Sequence, residues 1–229
     1  MPAPAPRADR EPLSRARVLD AAVVLADAEG LGALTMRRLA GELRCEAMSL
    51  YHHVADKNAL LDGLAEVVVG EIAEACLDPG ATAGSLDWRD VVRRRCLAAR
   101  TVMHRHPWAP GLIAARSQPP PTVYPLFEAL VATMVEGGCG YPLAHRAIHS
   151  LGSMLLGFTQ ELFEPAVDDE QARDEAAQDL APTMPHLAHL AEVAVHEARG
   201  SLGICDTQAE FEFTLRLILD GLEAHRITR

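Results

Sequence analysis

Small and hydrogen-bonding side chains gather between residues 47 and 53 of the chain. Ala47 and Ser49 are small enough to let a helix approach base edges closely, and Ser49, His52 and His53 can hydrogen-bond to bases or phosphates. Residue types of this kind are typical of a surface that contacts DNA. They act together only if the local structure presents them on one face.

Spacings typical of enzymes are missing from the sequence. There is no GxSxG, no P-loop, no GxGxxG after a strand and no HExxH. His145 and His149 are four residues apart on a predicted helix and could share a metal ion, but no carboxylate or cysteine joins them at ligand spacing. His104 and His106 precede Pro107 at a predicted helix end, where a cation favourably meets the helix dipole. We therefore expect no metal site, no cofactor and no enzyme.

Helical periodicity interrupted by glycine and proline predicts an all-α fold. Ser14 is the predicted N-cap of a first helix that ends at Gly30, and Thr35 caps a second, short one. A break at Arg44 and Cys45 precedes another short helix at about 46–52, and Asp56 caps a longer one that stops before residue 79. Six further helices are predicted at about 87–105, 108–116, 122–137, 141–163, 184–199 and 206–226, and the acidic stretch 164–182 is a predicted solvated loop.

Two short helices joined by a tight turn, with a long helix on either side, form a helix-turn-helix pattern. Leu39 and Leu43 are the predicted buried residues of the first short helix. Leu50, Tyr51 and Val54 are the predicted inner anchor of the second. This packing turns Ala47, Ser49, His52 and His53 outward or towards the helix end.

Charge is distributed unevenly along the chain. The net charge is −11, but residues 1–57 carry eight basic and eight acidic side chains, so the negative excess lies in 58–229. That distribution suits a protein that touches DNA with one end. No apolar stretch reaches the roughly 20 residues of a membrane span, residues 1–12 are predicted to be a disordered tail, and the five cysteines are predicted to be reduced. A cytoplasmic location without a membrane partner follows as the expectation.

Residues 30–66, GLGALTMRRLAGELRCEAMSLYHHVADKNALLDGLAE, closely resemble the DNA-binding domain of TetR-family regulators. The matching residues are Thr35, Arg37, Ser49-Leu50-Tyr51, His53-Val54, Lys57 and Leu60-Leu61. The resemblance implies that Thr35 binds a phosphate at a helix N-terminus and that Arg37 reaches a base edge or the backbone. It places Ala47, Met48 and Ser49 against bases. It also implies that Tyr51, His53 and Lys57 hold phosphates.

One position departs from this resemblance. The turn usually carries Gly-Val, whereas this chain has Arg44-Cys45. Glycine is favoured because the turn requires a positive φ, so Arg44 is predicted to cost ~1 kcal/mol if the geometry is kept. Cys45 can replace valine as a small buried residue.

The C-terminal part resembles the second domain of tetracycline-repressor-like proteins, through residues 104–116 and 211–225. The last helix is apolar on two sides and therefore needs two partners, one within the chain and one outside it. The resemblance implies a homodimer built on the helices near 141–163 and 206–226. The predicted interface residues are Leu151, Leu155, Phe158, Phe213 and Leu217. A two-fold dimer suits a palindromic operator in double-stranded DNA.

A ligand cavity is expected between the helices at 87–105, 122–137 and 141–163. The candidate lining residues are Arg100, Met103, His104, Trp108, Phe127, Leu130, Met134, His149 and Met154. The predicted organisation is a tail at 1–12, a DNA-binding domain at 13–60 with a linking helix at 57–76, and a ligand-sensing and dimerisation domain at 77–229.

The function predicted from these features is a dimeric repressor that an unknown small-molecule effector releases from its operator. Two alternatives stay open at this point. One is a DNA-binding protein that answers to a partner protein and has a closed second domain. The other is an all-α enzyme with an accidental N-terminal resemblance.

Overall fold

All regular elements of the described residues are helical, which confirms the predicted all-α fold. The computed structural model describes residues 12–77, 87–158, 182–189 and 207–226. The helices are α1 (Arg15–Glu29), α2 (Met36–Leu43), α3 (Ala47–Leu50), α4 (Lys57–Leu77), α5 (Trp88–Arg105), α6 (Ala109–Ala114), α7 (Tyr124–Glu136), α8 (Tyr141–Gly157) and α9 (Thr207–Ala224), with a short 3-10 turn at Pro121–Val123. Residues 185–189 are also helical.

Side-chain caps fix the starts of the first helices. The Ser14 and Thr35 hydroxyl oxygens accept hydrogen bonds from the backbone N–H three residues later, at 3.2 and 3.1 Å. Asp56 Oδ1 accepts the equivalent bond at 2.8 Å, and α1 ends where Gly30 adopts a φ of 78°. Each bond satisfies an N–H that has no partner within the helix. The predicted starts of these three helices are confirmed.

The described chain divides into two compact units. Unit 1 contains residues 12–77 and 97–128, and unit 2 contains residues 87–96, 129–158, 182–189 and 207–226. The boundary between the units falls within α5 and within α7. Each unit has its own buried core.

The core of unit 1 joins α6 to the helix-turn-helix elements. Its buried side chains include Val18, Leu19, Leu34, Leu39, Leu50, Val54, Leu60, Leu64 and Leu112. Gly63 lets α4 approach α1 closely, because a Cβ at this position would lie 2.6 Å from Leu19 Cδ2. One shared core therefore buries the apolar sides of five helices, α1, α2, α3, α4 and α6.

The core of unit 2 is formed largely by α8 and α9. Phe211, Leu215 and Leu219 of α9 are buried, and the Phe211 ring meets Phe158 edge-on with centroids 5.7 Å apart. The buried Trp88 indole at the start of α5 donates a hydrogen bond to Glu223 at 3.2 Å. The apolar side of α9 that was predicted to face the protomer does so.

Several predicted boundaries shift in the structure. The helix expected at 46–52 is shorter, because the N–H groups of His53 and Val54 both bond to the Leu50 carbonyl at 2.9 Å and close a turn. Helix α8 ends at Gly157, and residues 159–163 of its predicted span lie outside the described residues. Most of the predicted tail, of the acidic loop and of the helix at 184–199 also lies outside them. Within the described residues, no helix is both long and apolar enough to cross a membrane.

Candidate nucleic-acid interface

Helices α2 and α3 are held at an angle by three buried side chains. Leu39 and Leu50 are fully buried and Val54 is 3% exposed. Tyr51, which was predicted to share this anchor, is 46% exposed. That part of the prediction was wrong, because α3 ends at Leu50 and Tyr51 already lies in the following turn. The exposed phenol agrees with the phosphate contact that the resemblance implies.

The turn between α2 and α3 has the left-handed geometry expected from the sequence. Arg44 adopts φ 52° and ψ 45°. Its N–H bonds to the Gly41 carbonyl at 3.2 Å, and the Cys45 N–H bonds to the Ala40 carbonyl at 3.0 Å. These two bonds form the Schellman motif, in which the left-handed position is usually glycine. The predicted positive φ is confirmed, and it carries a steric cost of ~1 kcal/mol for a residue with a Cβ.

The candidate DNA contacts form a mostly exposed surface. Met48 is 73% exposed, which is unusual for an apolar side chain and suits contact with a thymine methyl. Thr35 uses its hydroxyl oxygen to cap α2, so its O–H can still donate to a phosphate. The exposed candidates are Thr35, Arg37, Met48, Tyr51, His52 and Lys57, and the half-buried ones are Ala47, Ser49 and His53.

The exposed Arg38 side chain is paired with two carboxylates. Its guanidinium donates to Glu29 at 2.6 Å and to Glu42 at 3.1 Å. The hydrogen bond with Glu29, followed by that with Glu42, raises the pKa of Arg38. Arg38 therefore joins α1 to α2, whereas Arg37 beside it is exposed.

A buried histidine that follows the last residue of α5 links α1 to α4 within unit 1. His106 is 6% exposed, with Nδ1 2.8 Å from Asp27 Oδ1 on α1 and Nε2 3.2 Å from Glu71 Oε2 on α4. The Trp108 indole donates to the same Asp27 oxygen at 2.7 Å, and Arg105 pairs with Glu71 at 3.2 Å. This cluster was not predicted, because its members are far apart along the chain.

A polar cleft of about 520 Å³ also lies in unit 1, beside α4 and the Pro119–Pro121 segment. Its charged side chains form two ion pairs. Arg15 pairs with Glu66 at 3.1 Å and Arg116 pairs with Asp62 at 3.0 Å. This cleft was not predicted, and its internal pairing leaves no net charge to select an ionic ligand.

The predicted cavity residues are divided between the two units. In unit 1, Arg100 and Met103 are buried, Trp108 and Phe127 are half-buried and His104 is exposed; in unit 2, Met134 and Met154 are buried, Leu130 is half-buried and His149 is exposed. Desolvation, with a smaller contribution from the Arg100 charge, lowers the pKa of His104. The rings of His149 and His145 touch edge-on, with centroids 4.7 Å apart. Among the described residues, no group of three or more His, Cys, Asp or Glu side chains is arranged to hold a metal ion.

The predicted dimer residues fall into two groups. Leu151 is 1% exposed and belongs to the protomer's own core, while Leu155 and Phe158 are half-buried. Phe213 and Leu217 of α9 are 49% and 57% exposed. An apolar pair one helical turn apart is therefore left on the outer side of α9, opposite the side that packs within the protomer.

Comparison with known proteins identifies the family. Residues 18–64 match the family model for bacterial regulatory proteins of the tetR family, and residues 81–226 match the tetracyclin repressor-like C-terminal domain. The chain belongs to the tetR family. The resemblance found in residues 30–66 is thus confirmed, and it extends over the second domain. A tetR-family chain is a regulatory protein, so the enzyme considered as an alternative is wrong.

Individual relatives of this chain are also transcriptional regulators. An HTH-type transcriptional regulator of Saccharopolyspora erythraea is 33% identical over 56% of this chain and 52% of its own length, so the match spans about half of each protein. The HTH-type transcriptional repressor DrrR1 of Streptomyces coeruleorubidus is 27% identical over 95% of this chain and 80% of that protein. The structure of Streptomyces coelicolor ActR in complex with actinorhodin is 27% identical, covers 95% of this chain and 100% of that chain, and has a TM-score of 0.76.

Proposed function

We propose that this tetR-family regulator is a homodimeric repressor that binds a palindromic operator and leaves it when a small molecule binds. The observation that supports this most directly is the helix-turn-helix surface. Its polar and small side chains lie outside a core closed by Leu39, Leu50 and Val54. The proposal keeps the division into a DNA-binding domain at 13–60, a linking helix at 57–76 and a sensing domain at 77–229, and a cytoplasmic location.

Each DNA-facing residue has a distinct proposed role. Thr35 contacts the DNA backbone where the positive end of the α2 dipole also favours a phosphate, and Arg37 reaches a base edge or the backbone. Ala47, Met48 and Ser49 meet base edges, since they lie in α3 itself. Tyr51, His53 and Lys57 hold phosphates and fix the register, and His52 hydrogen-bonds to a base or a phosphate.

Dimerisation supplies the affinity that one half-site lacks. Residues 1–57 are neutral overall, so non-specific attraction to DNA is modest. Two recognition helices on a two-fold axis double the specific contacts on a palindrome. Phe213 and Leu217 are the exposed apolar residues of α9 that support an intermolecular contact.

Release by a small molecule is supported by relatives that bind one. ActR has been solved with actinorhodin and with (S)-DNPA. We propose a ligand of unspecified class in the second domain, contacted by some of the nine candidate residues. Binding shifts the population towards a dimer whose recognition helices no longer match the operator. Control by a partner protein is the second candidate.

Operator binding is tested by selecting sequences from random DNA with the full chain. Fluorescence anisotropy on the selected site then compares wild type with the double variant Phe213→Glu/Leu217→Glu. We expect an enriched palindrome for wild type and a loss of dimer and of affinity for the double variant. Phe213→Leu/Leu217→Met is the matched control and should retain both. Absence of any enriched site at low salt would contradict the proposal.

Effector release is tested on the same DNA complex. A panel of small molecules is screened for compounds that dissociate it, and calorimetry then establishes direct binding to the protein. Dissociation with saturable binding supports the sensing role. A panel without effect, combined with release by a protein fraction, would favour the partner-protein mechanism instead.

A further inference from the structure

We infer that Arg44, in the turn between α2 and α3, contacts an operator phosphate and helps to fix the register of α3. This inference rests on the proposed function, because it requires an operator. It adds a residue outside the set of contacts predicted from the sequence. Three observations carry it: the backbone conformation, the charge pairing of nearby arginines and the exposure of the side chain.

The backbone observation is that Arg44 occupies a position suited to glycine. It is the only non-glycine residue with a positive φ in the described parts of the chain. The Schellman bonds at Ala40 and Gly41 require that conformation. Glycine would form the same turn without steric conflict, so backbone geometry does not explain the arginine. Strained residues of this kind cluster at functional sites.

The charge observation is that Arg44 is available to a ligand. Arg38 is occupied by Glu29 and Glu42, and Arg15 is occupied by Glu66. Arg44 is exposed and forms no ion pair or side-chain hydrogen bond with any described residue. A guanidinium has five N–H donors and is permanently charged. On the exposed side of a helix-turn-helix it is therefore well suited to bind a phosphate.

Arg44 lies immediately before the segment that enters the groove. It lies three residues before Ala47, the first residue of α3. The segment that enters the groove is flanked by DNA backbone, so cations at its start can reach a phosphate. Arg37, Arg44 and Lys57 are the exposed cations of this segment that pair with no described residue. Because only a few cations are available to contact phosphates, the loss of one of them should measurably change the salt dependence of binding.

A purely local explanation also exists. A cation at the C-terminus of α2 interacts favourably with the helix dipole. That role would affect the stability of the protein but would leave the salt dependence of operator binding unchanged. The two explanations therefore predict different results for the same variants.

The experiment measures operator affinity as a function of NaCl concentration and thermal stability in parallel. It uses wild type, Arg44→Gly, Arg44→Gln and Arg44→Lys, on the operator that wild type selects. We expect Arg44→Gly to raise Tm by about 2 °C while weakening the dimer's binding about tenfold. Its salt slope should fall by about one per half-site. Arg44→Gln should lose the same affinity and slope without the gain in Tm, and Arg44→Lys should retain the slope.

Other results would overturn the inference. Wild-type affinity and slope in both Arg44→Gly and Arg44→Gln would leave only the dipole role. A loss in Arg44→Lys equal to that in Arg44→Gln would contradict a contact based on charge. If the wild-type protein binds no selected DNA, the proposed function is wrong and the Arg44 contact is wrong with it. If all variants bind the operator equally well, only the Arg44 contact is refuted. Circular dichroism checks that each variant is folded.

Discussion

Replacing His106 with alanine should destabilise the protein by removing the centre of the cluster formed with Asp27 and Glu71. Both ring nitrogens face carboxylate oxygens, which accept hydrogen bonds but do not donate them when ionised. Whichever ring nitrogen carries a proton can therefore donate to the carboxylate it faces. Loss of the imidazole removes that donor and opens a space in a buried site.

The size of the effect follows from the exposure of the partners. A hydrogen bond to a charged group is worth about 1.5–3 kcal/mol. The carboxylate side chains of Asp27 and Glu71 are 31% and 32% exposed, so water recovers part of that amount. Each also keeps a second donor, from Trp108 and Arg105. We therefore expect a loss of about 2 kcal/mol, which corresponds to a decrease in Tm of about 4–8 °C.

Urea denaturation followed by circular dichroism at constant pH measures this loss. His104→Ala is the matched control, because His104 lies two residues before His106, in the last turn of α5, but is exposed. It should change stability by less than about 0.5 kcal/mol. A double-mutant cycle with Asp27→Asn should show coupling between the two positions. Additive effects, or a change in His106→Ala as small as in the control, would refute the proposed role of this cluster.

Two further predictions concern close packing and thiol chemistry. Gly63→Ala should destabilise the protein by about 1–3 kcal/mol, because the added Cβ meets Leu19. Gly70→Ala, on the same helix but with open space around it, should increase the free energy of unfolding by about 0.5–1 kcal/mol. Thermal melts compare the two variants, and equal effects would contradict the packing. Under native conditions Cys139 should be alkylated at least about tenfold more slowly than Cys45, because burial raises the pKa of the Cys139 thiol and Cys45 is only half-buried. Peptide mass spectrometry measures both rates, and faster modification of Cys139 would contradict this prediction.

Local signals in the sequence predicted the helix-turn-helix well. Ser14, Thr35 and Asp56 cap helices through bonds that span three residues, so the information needed to recognise them is contained in a short window. The positive φ of Arg44 was predictable for the same reason, since turn geometry depends on neighbouring residues. The anchor residue Tyr51 was misjudged because helical periodicity loses its meaning in an element of one turn.

Contacts between distant residues were not predictable in this way. The partners of His106 on α1 and α4 lie 79 and 35 residues away, and the sequence showed only a histidine near a helix end. Leu151 was placed at the dimer interface, yet it is buried inside its own protomer. An apolar helix face shows that a side chain is covered, but the pattern does not identify which neighbour covers it.

The two tryptophans of this chain have a practical consequence for experiments. Trp108 belongs to unit 1 and Trp88 to unit 2, and each indole donates a hydrogen bond to a carboxylate of its own unit. Tryptophan emission depends on local polarity and hydrogen bonding, so single Trp→Phe replacements would give a separate optical signal for each unit. Titrating operator DNA or an effector into those two variants would show which half of the molecule responds first, without an added label.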